Sequence, residues 1–432
     1  MSNRTASVPR SADEIARSIE ADLRSGARQP GDRLDPVRRA AERLGVAPGT
    51  VAAAYQELAR RGTVVGQGRA GTFIAARPPV GAHGQVALPA GVVDLRSGNP
   101  DASFLPEMPR PPGDPVRYGT ASVLPELAVA GRRWLEANGV DATHLAVVHG
   151  AMDGVERVLQ AHLRPGDAIA VEDPGYPNVV DLARALGLAP VAVSLDGAGM
   201  EVAALAAVLR QVRAVVLTPR AQNPTGAAFT EARARLLREV LDRRPEVLVV
   251  EDDHNGDVAG VPLRSVAVGR ERWAVVHSMA KTLGPDWRLA LVAGDTATVD
   301  RVHSRLRLGS GWVSYELQRP VAAALADRRV RAQVRRAATA YGERRRALVE
   351  ALRRRGIRAH GTSGFNVWVP VTDEAVVVAG LLSAGWGVQG GTRFRHHAPP
   401  GVRVSVSLLD PVDVERFADA FAEVVAGGEA GA

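Results

Sequence analysis

A single lysine is the first residue of this sequence that could do covalent chemistry. Lys281 is the only lysine in 432 residues, and the other 53 basic residues are arginine. Arginine serves wherever a solvated cation is enough, but it cannot supply a primary amine that loses its proton and attacks a carbonyl. The composition therefore predicts that Lys281 forms a Schiff base; the alternative is an ordinary surface lysine.

Polar clusters follow four apolar runs of the chain. Residues 150–154 (GAMDG) open a helix after the first run, and residues 222–226 (QNPTG) follow another. Residues 251–254 (EDDH) end a third run, and Ser278 begins the cluster that contains Lys281. Because ligands of open α/β sheets bind at the carboxyl ends of the strands, the clusters predict one common site. The GAMDG turn would offer that site backbone N–H groups suited to phosphate.

The elements that must position these clusters alternate between short apolar runs and amphipathic helices. The predicted strands cover residues 145–148, 168–171, 190–193, 214–218, 247–250 and 274–277. Helices such as 155–163 and 201–208 lie between them. This alternation predicts an α/β fold with a mostly parallel sheet. Helices dominate after about residue 310, and a separate small α/β lobe is predicted from residues 365–369, 403–407 and 412–425.

The N-terminal segment follows a different pattern, three short helices and then two short strands. A capping box at Ser11 and Glu14 begins the first helix. Asp35 as N-cap and Pro36 at the first helical position begin the second. Gly62 ends the third helix, and the strands at residues 63–65 and 72–75 flank a glycine-rich tip. This order predicts a helix-turn-helix followed by a wing.

Charge and composition divide the chain into regions. Residues 1–80 hold 13 arginines and 8 acidic side chains, so most of the net charge of +7 lies there. Such an excess is a weak sign of a nucleic-acid partner, and an arginine-rich composition explains it equally well. Residues 78–92 are rich in Pro, Gly and Ala, as in a linker. We therefore predict domains at 8–77 and 93–425, joined by a linker at 78–92.

Several classes of protein are excluded or disfavoured by composition. The chain has no cysteine, which excludes disulfides and cysteine-ligated metal sites. Residues 1–14 are polar and do not resemble a signal peptide. The longest apolar stretch, 375–388, falls short of the roughly 20 residues that span a bilayer. We expect a soluble, cytoplasmic protein that has no membrane partner and no metal.

The N-terminal motifs resemble the GntR-type winged helix. They are PGDRL (30–34), AAERLGVAPGTVAAAYQELARRG (40–62) and GRAGTFI (68–74). The resemblance implies binding to double-stranded DNA, with the third helix in the major groove. The positions that match the family's DNA contacts are Arg38, Arg39, Gly49, Thr50 and Arg69. For each arginine the alternative is solvated surface charge. Pro48 departs from the family, which often has Arg there, and this puts one base contact in doubt.

Six motifs of residues 93–425, in order along the chain, resemble fold-type I aminotransferases. They are VVHGAMDGVERVL, VEDPGYPN, TPRAQNPTG, VVEDDHNGD, HSMAKTLGPDWRLA and GVRVSVS. The resemblance implies pyridoxal 5′-phosphate as cofactor, attached to Lys281. It implies that Asp252, by alignment rather than Asp253, pairs with the pyridine nitrogen, and that Asn223 bonds the ring hydroxyl. Tyr176 matches a residue that packs over the ring; the alternative is core packing.

The same resemblance implies a phosphate site, a carboxylate site and a second subunit. The phosphate would be held by Ser278, Arg288 and the backbone N–H groups of Ala151 and Met152. Arg403 matches an arginine that grips the carboxylate of an amino acid; taken without that match, the better interpretation is an ordinary arginine at a strand edge. Tyr118 matches a tyrosine that crosses a dimer interface to the partner's phosphate, which implies a homodimer.

Two positions depart from the aminotransferase pattern. His254 stands where relatives usually carry a tyrosine near the ring hydroxyl, and Ala280 replaces a common serine before the lysine. Imidazole can donate the same hydrogen bond, but it tunes the cofactor differently. The departures leave cofactor binding intact and leave the rate of transamination open.

A winged helix joined by a linker to an aminotransferase-like region is the layout of MocR-type regulators. It implies a transcription regulator that senses a small amine, an amino acid or the cofactor itself through Lys281. The alternative is a catalytically active class I/II aminotransferase with an appended DNA-binding domain. A weaker alternative is a domain that keeps the fold and has lost the cofactor. The arginine-rich stretch 328–355 is interpreted as a solvated helix face rather than a second DNA contact.

Overall fold

A computed structural model describes residues 9–25, 27–29, 31–60, 63–66, 71–75 and 87–429. The chain divides into two compact units. The first comprises the N-terminal residues up to Gln85 and two short segments, 163–168 and 180–190; the second comprises the remainder. Much of the predicted linker and the tip of the predicted wing lie outside the described residues.

The N-terminal region contains three helices and a two-stranded sheet. The helices are α1 (Ala12–Ser25), α2 (Val37–Leu44) and α3 (Pro48–Arg60), and the strands are β1 (Val64–Gly66) and β2 (Thr72–Ile74). The two strands pair antiparallel, with Val64 opposite Ile74. Ile15, Leu34, Val51, Leu58 and Ile74 share one buried core. The predicted helix-turn-helix and wing strands are therefore present.

The starts of the first two helices test the predicted caps. The backbone N–H of Glu14 donates to Ser11 Oγ at 3.2 Å, and the N–H of Ser11 donates to Glu14 Oε2 at 3.3 Å, so the capping box is confirmed. The prediction for α2 was wrong, because Pro36 is the N-cap and the helix begins at Val37. Asp35 is engaged elsewhere: its carboxylate pairs with Arg43, and its carbonyl accepts from Tyr55.

The larger unit is built from a central sheet and surrounding helices. The strands of the central sheet are β4 (Leu145–Val148), β5 (Ala168–Asp173), β6 (Ala189–Asp196), β7 (Gly199–Met200), β8 (Ala214–Leu217), β9 (Leu248–Asp253), β10 (Trp273–Ser278) and β11 (Ala290–Gly294). The helices before the C-terminal lobe are α4 (Pro125–Glu136), α5 (Ala151–His162), α6 (Pro177–Ala185), α7 (Val202–Val208), α8 (Glu231–Leu241), α9 (Thr296–Arg307), α10 (Tyr315–Ala326) and α11 (Arg328–Arg354).

The strand order of the central sheet is β4-β11-β10-β9-β8-β5-β6-β7. Strands β10, β9, β8 and β5 pair in parallel. Strand β11 lies antiparallel between β4 and β10. The predicted mostly parallel sheet is confirmed, while β11 was missed, because an antiparallel strand ends at the other edge and carries no polar cluster to mark it.

The C-terminal lobe follows α11. Its strands are β12 (Asn366–Pro370), β13 (Trp386–Gly387), β14 (Gln389–Gly390) and β15 (Gly401–Ser405), and its helices are α12 (Glu374–Ser383) and α13 (Val414–Glu429). Strands β12, β15 and β14 form an antiparallel sheet, and β13 pairs in parallel with β3 (Val93–Asp94). The lobe is α/β as predicted. Over the described part of the chain, no helix combines the length and apolar character needed to cross a bilayer.

Candidate functional site

The amine of Lys281 lies just beyond the end of β10. Its Nζ donates a hydrogen bond to the carbonyl oxygen of Gly98. Burial, together with the positive charges of Arg403 and Arg288, lowers the pKa of Lys281 to about 8. An amine with such a pKa loses its proton close to neutral pH, as a nucleophilic lysine requires.

Asp252 is the second chemically notable group, because one of its oxygens has no partner. Side chains alternate along a strand, so Asp252 faces the opposite side of β9 from Glu251 and Asp253. It is 4% exposed, and Asp252 Oδ1 accepts no hydrogen bond within the described residues. Burial raises the pKa of this carboxyl to about 7, with the charges of Asp253 and Glu172 adding to the effect. A buried, unpartnered carboxylate oxygen is suited to a cationic or N–H ligand.

Asp253, by contrast, is fully engaged. Arg220 Nε and Nη2 donate to its two oxygens at 2.8 Å each, and His277 Nδ1 lies 2.6 Å from Asp253 Oδ2. The parallel register places His277 opposite Asp253. Although burial opposes it, the Arg220 guanidinium and His277 hold the pKa of Asp253 well below its usual range. Of the two adjacent aspartates, only Asp252 is free to bind a ligand.

Three more side chains belong to the same region: Tyr176 follows β5, Asn223 follows β8, and His254 follows β9 directly. Asn223 Oδ1 accepts a hydrogen bond from Arg403 Nη1 at 2.9 Å. Burial, followed by the charge of Lys281, lowers the pKa of His254 to about 4, so its imidazole is neutral at physiological pH. Burial and the charge of Asp252 raise the pKa of Tyr176, which keeps the phenol protonated.

The N-terminus of α5 begins at Ala151 and Met152, where the first N–H groups of a helix have no intrahelical partner. Gly150, with φ +95°, precedes them, and a Cβ added there would lie 2.8 Å from an Arg288 guanidinium nitrogen. A side chain at position 150 would therefore displace Arg288. Ser278 is buried at the end of β10, and its Oγ accepts from the Ala280 N–H at 3.3 Å. These groups together can hold a phosphate.

Arg403 is a buried cation that lacks an acidic partner. Its Nη2 donates to the Arg96 carbonyl, and its guanidinium lies over the Phe394 ring at 5.0 Å. Arg403 Nε has no hydrogen-bond partner, and no carboxylate pairs with Arg403 anywhere in the described part of the chain. Burial, together with the positive charge of Arg393, lowers the pKa of Arg403 to about 10. The arrangement leaves room for one carboxylate from a ligand.

Tyr118 lies outside this cluster. It is 94% exposed and makes an edge contact with Trp312, with ring centroids 5.9 Å apart. One copy of the chain therefore does not bring Tyr118 to Lys281.

The predicted DNA-binding residues lie on α2 and at the start of α3. Arg38 and Arg39 are exposed and have no ion pair or hydrogen bond among the described side chains, and Gly49 is exposed as well. The N–H of Thr50 donates to the Ala47 carbonyl at 2.9 Å. Arg69 lies outside the described residues.

The groups that orient the site have no role that the sequence motifs predict. Arg220, His277 and the Gly98 carbonyl hold Asp253 and Lys281, and buried Glu172 accepts from Thr218 and Gln222. Arg220 and Glu172 belong to the quoted motifs, but their near-complete burial has no signature in the residue types alone. The position of a backbone carbonyl such as that of Gly98 is equally invisible in a sequence.

The unpartnered groups of this region fit pyridoxal phosphate. The orphaned Asp252 oxygen matches the pyridine N–H, and the Lys281 amine matches the aldehyde. The glycine before α5 and the Arg288 guanidinium match the phosphate.

Family models match two parts of the chain. Residues 110–421 match the model described as aminotransferase class I and II, and residues 11–74 match bacterial regulatory proteins of the gntR family.

Curated relatives match between 80% and 95% of the chain. A vitamin B6 salvage pathway transcriptional repressor (PtsJ) of Salmonella typhimurium is 38% identical over 95% of this chain and 97% of its own length. A pyridoxine biosynthesis transcriptional regulator (PdxR) of Corynebacterium glutamicum is 26% identical over 80% and 79%. A probable rhizopine catabolism regulatory protein (MocR) of Rhizobium meliloti is 24% identical over 82% and 79%.

The fold of the larger unit also matches solved structures. A kynurenine aminotransferase of Pyrococcus horikoshii aligns with a TM-score of 0.70 and 19% identity, covering 78% of this chain and 92% of its own. At that identity the likeness shows the fold alone.

Proposed function

The chain belongs to the MocR type of gntR-family regulators, in which an aminotransferase class I and II region follows the DNA-binding region, and we propose that a small amine-bearing signal controls its DNA binding through Lys281. It is a transcription regulator whose larger region takes pyridoxal phosphate as cofactor. The residue roles, the signal, the domain boundaries and the assembly below are our proposals.

The observation that carries the proposal is the unpartnered oxygen of Asp252. A carboxylate buried this fully costs free energy unless a ligand satisfies it. We assign Asp252 to the pyridine nitrogen, where its negative charge keeps a ring N–H protonated. Asn223 and His254 are assigned to the ring hydroxyl and Tyr176 to the ring face. When bound, the cofactor supplies an aldehyde that reacts reversibly with amines and a ring that withdraws electrons.

The phosphate is assigned to the start of α5. Ser278, Arg288 and the N–H groups of Ala151 and Met152 provide a hydroxyl, a cation and helix-terminal donors. The exposure of Tyr118 supports a homodimer in which this side chain reaches the phosphate site of the second copy.

Lys281 and Arg403 define the signal. Lys281 can give up its proton near neutral pH, so its amine would hold the cofactor aldehyde reversibly, and the bound cofactor would supply a carbon that also reacts with other amines. Arg403, which has no acidic partner among the described residues, would hold the carboxylate of an amino acid. The 38% identical relative is named for the vitamin B6 salvage pathway. We therefore propose the cofactor itself as an alternative signal to an amino acid.

DNA is contacted through the N-terminal region. We assign phosphate and base contacts to Arg38, Arg39, Gly49, Thr50 and Arg69. The exposed arginines of α2 and the exposure of Gly49 at the start of α3 support this assignment. Two copies would occupy paired half-sites, and a DNA-binding protein of this kind works in the cytoplasm. The boundaries 8–77, 78–92 and 93–425 are retained as the domain proposal.

The test is DNA binding by the full chain, with DNA selected in vitro from a random library. Affinity is measured with and without pyridoxal phosphate, and then with added amines and amino acids. We expect a change of roughly 5- to 150-fold, the usual range of allosteric coupling. Lys281→Ala should remove the response and keep the basal affinity. A wild-type response in Lys281→Ala would overturn the proposal.

A second function, turnover as an aminotransferase, is favoured by one observation. The Lys281 amine has a pKa of about 8 and lies near Arg403 and Arg288, so a group that can accept and return a proton close to neutral pH is present. Multiple-turnover transfer of an amino group to a 2-oxo acid would establish that function. A single partial reaction without turnover would leave the regulator as the only function.

A further inference from the structure

A cavity separate from the residues assigned to the cofactor lies between the central sheet and the C-terminal lobe. Its volume is about 1050 Å³, and its walls come from β6, α7 and the lobe segments 358–370 and 397–400. None of the residues assigned to the cofactor lines it. This volume slightly exceeds the usual range for small-molecule sites, which is roughly 300–1,000 Å³.

Trp368 forms a fixed aromatic wall of this cavity. Two glycines, Gly391 and Gly401, lie directly against its indole, and a Cβ at either position would overlap the ring. The glycines therefore let the indole rest on the backbone of the lobe, where it is 7% exposed. A rigid ring in a mostly apolar wall is suited to a flat apolar ligand.

The charges around the cavity are unbalanced. Its two carboxylates are occupied: Asp173 accepts the N–H groups of His396, His397 and Ala398 at 2.7–3.1 Å, and Asp196 pairs with Arg233. Three basic side chains of the wall make no hydrogen bond or ion pair within the described residues, namely Arg358, His360 and His397. The unused polar groups of the cavity are therefore those that attract an anion.

We propose that this cavity is a second ligand site that takes a flat aromatic anion, with its ring on Trp368 and its carboxylate, sulfonate or phosphate toward Arg358, His360 and His397. The site does not depend on the function proposed above. Phe394, which lies under Arg403, and residues 397–400, which line the cavity, belong to one segment of the lobe.

The experiment is a fluorescence titration of the full chain with 8-anilinonaphthalene-1-sulfonate, an aromatic sulfonate. Three variants alter the cavity: Ala207→Trp fills it, Arg358→Glu reverses a charge, and Trp368→Phe removes energy transfer from the indole. The matched controls are Ala130→Trp and Arg133→Glu, which alter a separate cavity between α4 and α10. Titrations with and without pyridoxal phosphate separate the two sites.

We expect Arg358→Glu to weaken dye binding by roughly threefold or more, the scale of a partly exposed ion pair. Ala207→Trp should abolish saturable binding, and both controls should bind as wild type. Dye affinity that pyridoxal phosphate leaves unchanged supports a separate site even if the cofactor proposal fails. Full competition by pyridoxal phosphate, or weakening only in the control variants, overturns the proposal. Because Arg358 is exposed, its variant remains informative if Ala207→Trp does not fold.

Discussion

Arg220 and Asp253 are joined by two hydrogen bonds of 2.8 Å, and both side chains are almost wholly excluded from solvent. Asp253 also bonds His277, which leaves it no capacity for a ligand. The strand alternation that sends Asp253 into this pair sends Asp252 to the opposite face. Because Arg220 pairs with Asp253 and not with Asp252, only Asp252 can bind a ligand.

Removing Arg220 should be strongly destabilising. Arg220→Met leaves Asp253 as a buried charge without its cation, which costs about 3–5 kcal/mol of unfolding free energy. Urea unfolding at pH 7.5 measures the loss. Arg235→Met, which breaks the exposed pair with Glu239, is the control and should cost no more than about 1 kcal/mol. Equal losses in the two variants would contradict the buried pair.

Replacing Asp252 should make stability less dependent on pH. The pKa of Asp252 is about 7 in the folded chain and near 3.8 unfolded, so the folded state binds the extra proton. Its contribution to stability is full below about pH 4 and is lost as pH rises through 7. Asp252→Asn should therefore exceed wild type by about 2–4 kcal/mol at pH 8, and match it near pH 4.5. Unfolding in urea at both pH values checks this, with exposed Asp286→Asn as control.

Lys281 should be the attachment point of the cofactor. Borohydride treatment of protein mixed with pyridoxal phosphate should leave one covalent adduct in the wild type and none in Lys281→Ala, as measured by intact mass. Arg403→Gln is the control, since its side chain lies near the amine but has no aldehyde chemistry. An adduct of equal yield in Lys281→Ala would assign the chemistry to another amine.

Arg403 should select ligands that carry a carboxylate. In cofactor-loaded protein, Arg403→Gln should lose roughly 10- to 100-fold in affinity for an amino acid and little for the corresponding decarboxylated amine. The visible absorption change during titration gives both affinities. Arg395→Gln, whose native partner is Glu374, serves as control. An equal loss for amine and amino acid would show that Arg403 supports the site without binding the carboxylate.

Arg38 should contact a DNA phosphate. Arg38→Ala should weaken binding at low salt and reduce the slope of log affinity against log salt by about 1. Fluorescence anisotropy at several salt concentrations measures this slope. The control is Arg17→Ala on α1, because Arg17 pairs with Asp13 at 2.6 Å. An unchanged slope in Arg38→Ala would place this side chain away from the DNA backbone.

The predicted elements match the structure where the hydrophobic periodicity agrees with the cap and turn residues that bound an element. The run at 145–148 is a strand with those bounds, and the Ser11–Glu14 box begins its helix as expected. The predicted cap of α2 was wrong. The Asp35 carboxylate pairs with Arg43 and the Asp35 carbonyl accepts from Tyr55, and a local sequence pattern does not predict either contact.

The site was predictable as a set of residue types and not as a network. The polar clusters at strand ends mark Lys281, Asp252 and Asn223, because chemistry restricts which side chains can serve there. The network that orients them runs through Arg220, His277 and the Gly98 carbonyl. These are long-range contacts between separate strands and loops, so only the folded chain reveals them.

The single lysine has a practical consequence for labelling. An amine-reactive reagent has one internal target in this protein, at Lys281, besides the chain terminus. Since the pKa of that amine is about 8, it is reactive under mild conditions when uncovered. A ligand in the site would shield it, so the yield of a single tagged peptide measures occupancy directly. Labelling of Lys281 can therefore measure ligand occupancy of the site in the unmodified protein.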